Sequence, residues 1–178
     1  MPGRSYPVRY IQMSKKIIIP VIMRLLTFII LFAPIFEMIT ISEAESKRIV
    51  FVSNIHENKE FYTSFIHSVN RMPVYEYYRI VDGHFTIYKT SFYAYGAGMP
   101  DFQDYNQKPY LKDGMVHIDN LNIEMDSFSI FVGRVADHSL NIDNKTYKLS
   151  DFIEPGKTAH FKIQKVSLFA LLRRLNHE

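Results

Sequence analysis

From residue 45 onward, apolar and polar positions alternate in short runs broken by turn residues; before residue 45 they do not. Runs rich in Val, Ile, Tyr, Phe and Thr fall at 48–53, 60–68, 74–81, 84–93, 115–119, 128–133, 138–142, 145–149 and 159–164. Alternation with period two, bounded by Gly, Pro, Asn and Asp, marks half-buried strands. Nine such runs at this spacing predict an all-β fold, a single antiparallel β-sandwich-like domain over 45–165. The tail at 166–178 departs from the pattern. It places Leu168, Phe169, Leu172 and Leu175 at helical spacing, which predicts a short amphipathic helix.

Turn chemistry sharpens the pairing. Asp82-Gly83 is a strong hairpin signal and sets Val81 against His84, Tyr78 against Ile87 and Glu76 against Lys89. Val74, Glu76, Tyr78 and Ile80, with Phe85, Ile87, Lys89 and Ser91, then form the core face. Tyr75, Tyr77, Arg79, Thr86, Tyr88 and Thr90 form the other. Phe61, Thr63, Phe65 and His67 alternate onto one face of the preceding run. Pairing Phe65 with Glu76 brings His67 diagonally beside Glu76, so a His67–Glu76–Lys89 cluster is expected. A register slip of one residue would scatter it. A second hairpin is expected at Asp143-Asn144, with Ile142 opposite Lys145.

Residues 1–44 carry a different signal. Lys15, Lys16 and Arg24 precede an unbroken apolar stretch from Leu25 to Phe36, and Ser42 and Ala44 follow as a small-residue cleavage site. That order defines an N-terminal signal peptide; counted from Ile17, the stretch approaches the length of a membrane anchor. Either reading places the β domain extracytoplasmically, in the periplasm or on the outer face of the cytoplasmic membrane. The membrane is then a partner through the N-terminal segment if it stays uncleaved.

Charge and composition narrow the function. Five of the 21 Lys/Arg and two of the 18 Asp/Glu precede Glu45, so the +3 net charge belongs to the leader and the β domain is neutral. A nucleic-acid partner is therefore not expected. The absence of cysteine excludes disulfides, thiolate ligands and a cysteine nucleophile. The seven histidines lack the close spacing of a metal motif, so neither a metal nor a cofactor is expected.

At Phe65-Ile-His-Ser-Val-Asn-Arg-Met-Pro-Val-Tyr-Glu76 the chain resembles the His-Ser-Val/Ile, then Pro-Val-x-Glu, signature of the domain of unknown function 1850 family. Tyr95-Gly-Ala-Gly-Met-Pro100 is similar to that family's Gly-Ala-Gly-Leu/Met-Pro element, and Val132-Gly-Arg-Val-Ala-Asp-His-Ser-Leu140 and 149–156 continue the likeness. The resemblance implies a small exported or membrane-anchored domain, commonly encoded beside tripartite ATP-independent periplasmic (TRAP) transporters of the TAXI type. It implies no reaction and no ligand. It singles out His67, Ser68, Pro73, Glu76, Gly96, Gly98, Pro100 and His138 without roles. With Lys89 and Tyr95 from the predicted cluster and loop, these are the candidate ligand-binding residues.

A hydrolase built on Ser68 and His67 is disfavoured, because neighbours on a strand point to opposite faces and no Gly-x-Ser-x-Gly elbow is present. The Gly96–Pro100 segment lacks the Gly-Lys-Ser/Thr ending of a phosphate loop. Three readings follow: a non-enzymatic accessory protein working with a TRAP membrane or substrate-binding component; a free-standing small-ligand-binding domain with a His/Glu pocket; and, behind both, a hydrolase or metal-dependent enzyme.

Overall fold

The computed structural model describes residues 15–56, 59–93 and 108–175. In chain order the elements are α1 (Lys15–Phe32), β1 (Pro34–Glu43), β2 (Ile49–Asn54), β3 (Glu60–Ile66), β4 (Pro73–Val81), β5 (His84–Phe92), β6 (Tyr110–Lys112), β7 (Met115–Met125), β8 (Ser127–Phe131), β9 (Ser139–Ile142), β10 (Lys145–Lys148), β11 (Thr158–Ser167) and α2 (Leu168–Leu175). They build two sheets, ordered β2-β1-β11-β8 and β10-β9-β3-β4-β5-β7-β6, and the pairing is antiparallel. Each of the nine predicted runs contains a strand. β1 and β6 are additions.

The chain divides into two compact units. One comprises α1, the first residues of β1, the end of β11 and α2; the other is Glu37–Gln164. In the first, Phe32 stacks on Phe169 with ring centroids 4.9 Å apart. Apolar side chains of α1 from Val21 to Phe32 are largely exposed, as are Phe169 and Leu172 of α2. Among the described residues, no helix is long and apolar enough to cross a membrane.

In the second unit the inner faces of the strands meet as alternation requires. Phe61, Tyr78, Phe128 and Phe161 stack face to face at 5.0, 4.5 and 4.4 Å, a file of rings running from β3 and β4 across to β8 and β11. Phe85 closes on this file edge-on against Phe61 and Phe128. Ile39, Ile41, Ile80, Val132, Leu140 and Ile153 fill the space around it, each 1% exposed. Val74, Phe92, Val116 and Ile118 form a second, smaller cluster.

Three two-residue turns pin the registers. Asp82-Gly83, Asp113-Gly114 and Asp143-Asn144 all hold both residues at positive φ. This is the type I′ geometry whose twist matches the strands it joins. As expected, Val81 pairs with His84, Tyr78 with Ile87 and Ile142 with Lys145. Asp113-Gly114 carries the same signal and closes the β6–β7 hairpin, which strand-length runs alone do not reveal.

Beyond Tyr78 the predicted register fails. A β-bulge between Tyr77 and Tyr78 leaves Tyr88 without an opposite number, so Tyr77 pairs with Lys89 and Glu76 with Thr90. One extra residue inverts the facing of every later side chain. Lys89 consequently lies on the outer face and the expected Glu76–Lys89 pair does not form. On the other flank, Thr63 rather than Phe65 opposes Glu76.

The segment that reads as the end of a leader also has a structural place. β1 is an interior strand between β2 and β11. Its Thr40 Oγ1 donates to the Lys162 carbonyl at 3.0 Å, and Glu43, 6% exposed, receives the Lys157 ammonium at 3.0 Å.

Candidate functional site

The bulge sorts the chemistry of the central sheet. Its outer face carries a cross-strand row formed by Thr146, Asn141, Tyr62, Tyr77, Lys89 and Asp119, one residue from each of β10, β9, β3, β4, β5 and β7. A second row runs Ser139, Ser64, Tyr75, Ser91, His117 and Tyr110. Tyrosine therefore concentrates where the rows meet. Tyr62 lies 5.3 Å from Tyr77 and 6.0 Å from Tyr75, and Tyr77 lies 6.2 Å from Tyr88. All four are half-buried. Phenol rings in this state present apolar faces and polar tips together.

A cavity of about 560 Å³ opens on this face, floored by Tyr62, Tyr77 and Tyr88 and walled by Asn141, Asp143, Lys145 and Thr146 of the β9–β10 hairpin, with His56 and Lys59 beside them. The wall is built from below. Lys59 is 2% exposed. Its ammonium donates to Ser53 Oγ at 2.8 Å, the Asn54 carbonyl at 2.9 Å and Asn54 Oδ1 at 2.7 Å, and it pairs with Asp143 at 3.0 Å. Burial works against the Asp143 carboxylate, but hydrogen bonds from Lys59 and Ser53 outweigh it and hold the carboxyl below its ordinary value. The hairpin tip is thereby tied to β2.

Two further ion pairs stand beside the cavity. Arg79 Nε pairs with Glu60 at 3.3 Å and its guanidinium lies 4.5 Å over the Tyr88 ring. Lys89 pairs with Asp119 at 3.5 Å and lies 5.6 Å from the centre of the Tyr77 ring. Burial, and then the charge of Glu60 and a hydrogen bond to it, push the Tyr88 phenol up to about 12. Burial also raises Tyr77. Tyr110 donates to Asp119 Oδ2 at 2.6 Å, which raises its phenol. These phenols are neutral at ordinary pH and offer O–H groups and ring faces. The floor and wall suit a polar surface or ligand with a flat apolar side.

The candidates from sequence do not gather at one point. His67 is buried in the β3–β4 turn, where its Nδ1 accepts the Val69 N–H at 3.3 Å and its backbone N–H donates to the Met72 carbonyl at 3.0 Å. Ser68 is exposed beside it, and no hydrogen bond joins the two side chains among the described residues. Glu76 lies on the inner face as expected, but its partner is the Tyr78 hydroxyl at 2.8 Å rather than His67 or Lys89. Burial, then the Glu76 charge, raises the Tyr78 phenol well above its ordinary value. His138 stacks on Phe65 at 5.4 Å, with its Nδ1 buried and without a hydrogen bond. Burial pulls its imidazole below the usual value. Tyr95, Gly96, Gly98 and Pro100 lie outside the described residues.

A serine–histidine contact does exist elsewhere. Ser91 Oγ is 2.7 Å from His117 Nδ1, and His117 Nε2 is 3.2 Å from the Lys112 carbonyl. A carbonyl only accepts, so Nε2 carries the proton and Ser91 donates to Nδ1. Ser91 is 0% exposed within the ladder. This pair knits β5 to β7 and the β6–β7 hairpin. Among the described residues, no group of three His, Asp or Glu side chains could hold a metal ion.

The tyrosine-floored cavity was only half visible in sequence. Alternation puts Tyr75, Tyr77 and Tyr88 on the non-core face, but nothing local brings Asn141 and Asp143 to them or marks Lys59 as the buried tie.

Fold and site together describe a small two-sheet β domain with an aromatic outer face. The model of the domain of unknown function family DUF1850 matches residues 61–149, and the chain belongs to that family. The match runs from the second residue of β3 past the end of β10, so it contains the seven-stranded sheet apart from Glu60. No curated protein and no solved structure matches the chain.

Proposed function

We propose that this chain is a non-enzymatic accessory module acting outside the cytoplasm, on the outer face of the cytoplasmic membrane, with a TAXI-type TRAP uptake system. Its aromatic face is the part that engages the partner. The observation that carries this reading is the outer face of the seven-stranded sheet: three half-buried tyrosines floor a cavity, Tyr75 lies beside them, and the ion pairs Lys59–Asp143 and Arg79–Glu60 flank it. Aromatic rings held rigidly between satisfied charges give contact area at low entropic cost, which is the chemistry of a recognition surface. Family membership supports the association with transport, and the cationic, apolar N-terminal segment supports the location.

Affinity capture tests it. The full chain, solubilised in mild detergent, is expected to retain a TRAP membrane or substrate-binding component. Tyr77→Ala is expected to lose that component while the fold persists. Recovery of no transporter component, or equal recovery with Tyr77→Ala, refutes it.

A second reading, a free-standing small-ligand-binding domain, is favoured by the cavity's size, which lies within the range of ligand pockets. Its site is then the tyrosine floor and the Asn141 wall rather than a His67/Glu76 pocket. Ligand-induced change in tyrosine fluorescence, in a chain without tryptophan, separates the two.

A further inference from the structure

We infer that the mature protein keeps β1, and with it α1, so that the N-terminal helix is a permanent lipid-seated part of the molecule rather than a discarded signal. Its lipid seat rests on the extracytoplasmic reading above; its retained strand does not.

Export signals are cut after paired small residues beyond the apolar run. Past that run the chain offers three such pairs, Thr40-x-Ser42, Ser42-x-Ala44 and Ala44-x-Ser46. All fall within β1 or up to three residues past its end. Only Ala33 separates α1 from β1, and the residue two before it is Leu31, which is not small. Any cut that uses a small-residue pair therefore removes β1.

The sheet cannot spare that strand. β1 stands between β2 and β11, and among the described residues β2 has no other neighbour in its sheet. Residues from Met38 to Ser42 pair with β2, with one irregularity between Ile41 and Ser42. Ile39 and Ile41 are each 1% exposed in the main core. Loss of β1 would strip the Lys162 carbonyl of Thr40, Lys157 of Glu43, and β2 of its only ladder partner. A hidden, paired strand is also a poor substrate for a peptidase, because the backbone must be released before it can be bound.

What remains attached is α1. Val21, Ile22, Leu25, Leu26, Ile29 and Ile30 are 48 to 58% exposed, and these positions spread over about half the circumference of the helix, with Arg24 and Thr27 on the opposite side. A protein groove covers one narrow stripe of a helix; an exposed apolar arc this wide beside a polar strip calls for an apolar solvent on one side, as in a membrane interface. Lipid acyl chains are that solvent. α2 joins the same seat through the Phe32–Phe169 stack.

N-terminal sequencing and intact mass of the untagged full chain, expressed in a bacterial host and purified from the membrane fraction, test this. The expected product retains α1, sediments with membranes through a high-salt wash and is released by detergent. Ile22→Asp combined with Ile29→Asp is expected to shift it to the soluble fraction with its far-ultraviolet dichroism unchanged. A folded product beginning at Glu43, Glu45 or Lys47 overturns the inference. An uncut chain that is soluble without detergent keeps the retained strand, overturns the lipid seat, and counts against the membrane reading of the proposed function.

Discussion

Removing the charge of Asp143 will destabilise the protein more than removing that of Lys59, although Asp143 is much the more exposed partner. Their side chains are 54% and 2% exposed. In Lys59→Met the apolar stem is kept and the ammonium disappears. Asn54 and Asp143 are exposed enough to rehydrate, and Ser53 Oγ keeps its 3.1 Å hydrogen bond to Asp143. The loss is then that of charged hydrogen bonds offset by a relieved desolvation, about 1–2 kcal/mol. In Asp143→Asn the ammonium remains buried without its counter-charge, and such half-pairs cost about 3 kcal/mol. Asparagine is the right replacement because position 143 sits at φ 53°, where Asn is tolerated and Ala would add strain. Urea unfolding followed by tyrosine fluorescence gives both values. A pH series adds a second check. The Asp143 carboxyl is held below its unfolded value of 3.8, so its contribution is complete above that pH and fades as pH falls through the lower, folded value. Asp143→Asn must abolish that part of the acid slope. Equal losses, or a larger loss for Lys59→Met, would refute the claim that Lys59 is the constrained partner.

Three further outcomes are expected. His138→Phe should stabilise the protein, and more at about pH 5 than at about pH 8. Burial holds the folded imidazole below its unfolded 6.5, so wild-type stability is complete above that value and declines as pH falls towards the folded one; paired urea midpoints at the two pH values measure it. Phe128→Ala should cost about 3 kcal/mol, read as a lowered thermal midpoint, because it breaks the ring file between Tyr78 and Phe161. Tyr77→Ala should weaken partner or ligand binding by at least about 2 kcal/mol, roughly thirtyfold in a titration, while leaving Asn141→Ala with a smaller effect at the rim.

The strands and two of the turns were legible because they rest on local chemistry. Asp82-Gly83 and Asp143-Asn144 fix their hairpins through positive φ, and the alternation around them places Tyr78 and Ile80 inside and Tyr75 and Tyr77 outside. The bulge at Tyr88 was not legible. An inserted residue leaves no mark on an alternating run, and its effect on Lys89 appears only when both neighbours are paired. β1 was hidden for another reason: Ile35 to Ile41 continues the apolar stretch of α1 without a turn signal, so strand and leader share one composition. The proposed His67–Glu76–Lys89 cluster needed two correct registers at once, and both slipped.

The residue that opposes nothing has a wider reach than its size suggests. Were Tyr88 drawn into the ladder opposite Tyr77, the far half of β5 would turn over: Phe92 would leave its greasy nest, and an ammonium would arrive beneath the sheet in place of Thr90. Ironing out that one irregularity would therefore act like several simultaneous exchanges of oil for salt. Dropping Tyr88 outright would instead leave Lys89 facing Tyr77 and Thr90 facing Glu76, so the codon itself is the expendable part.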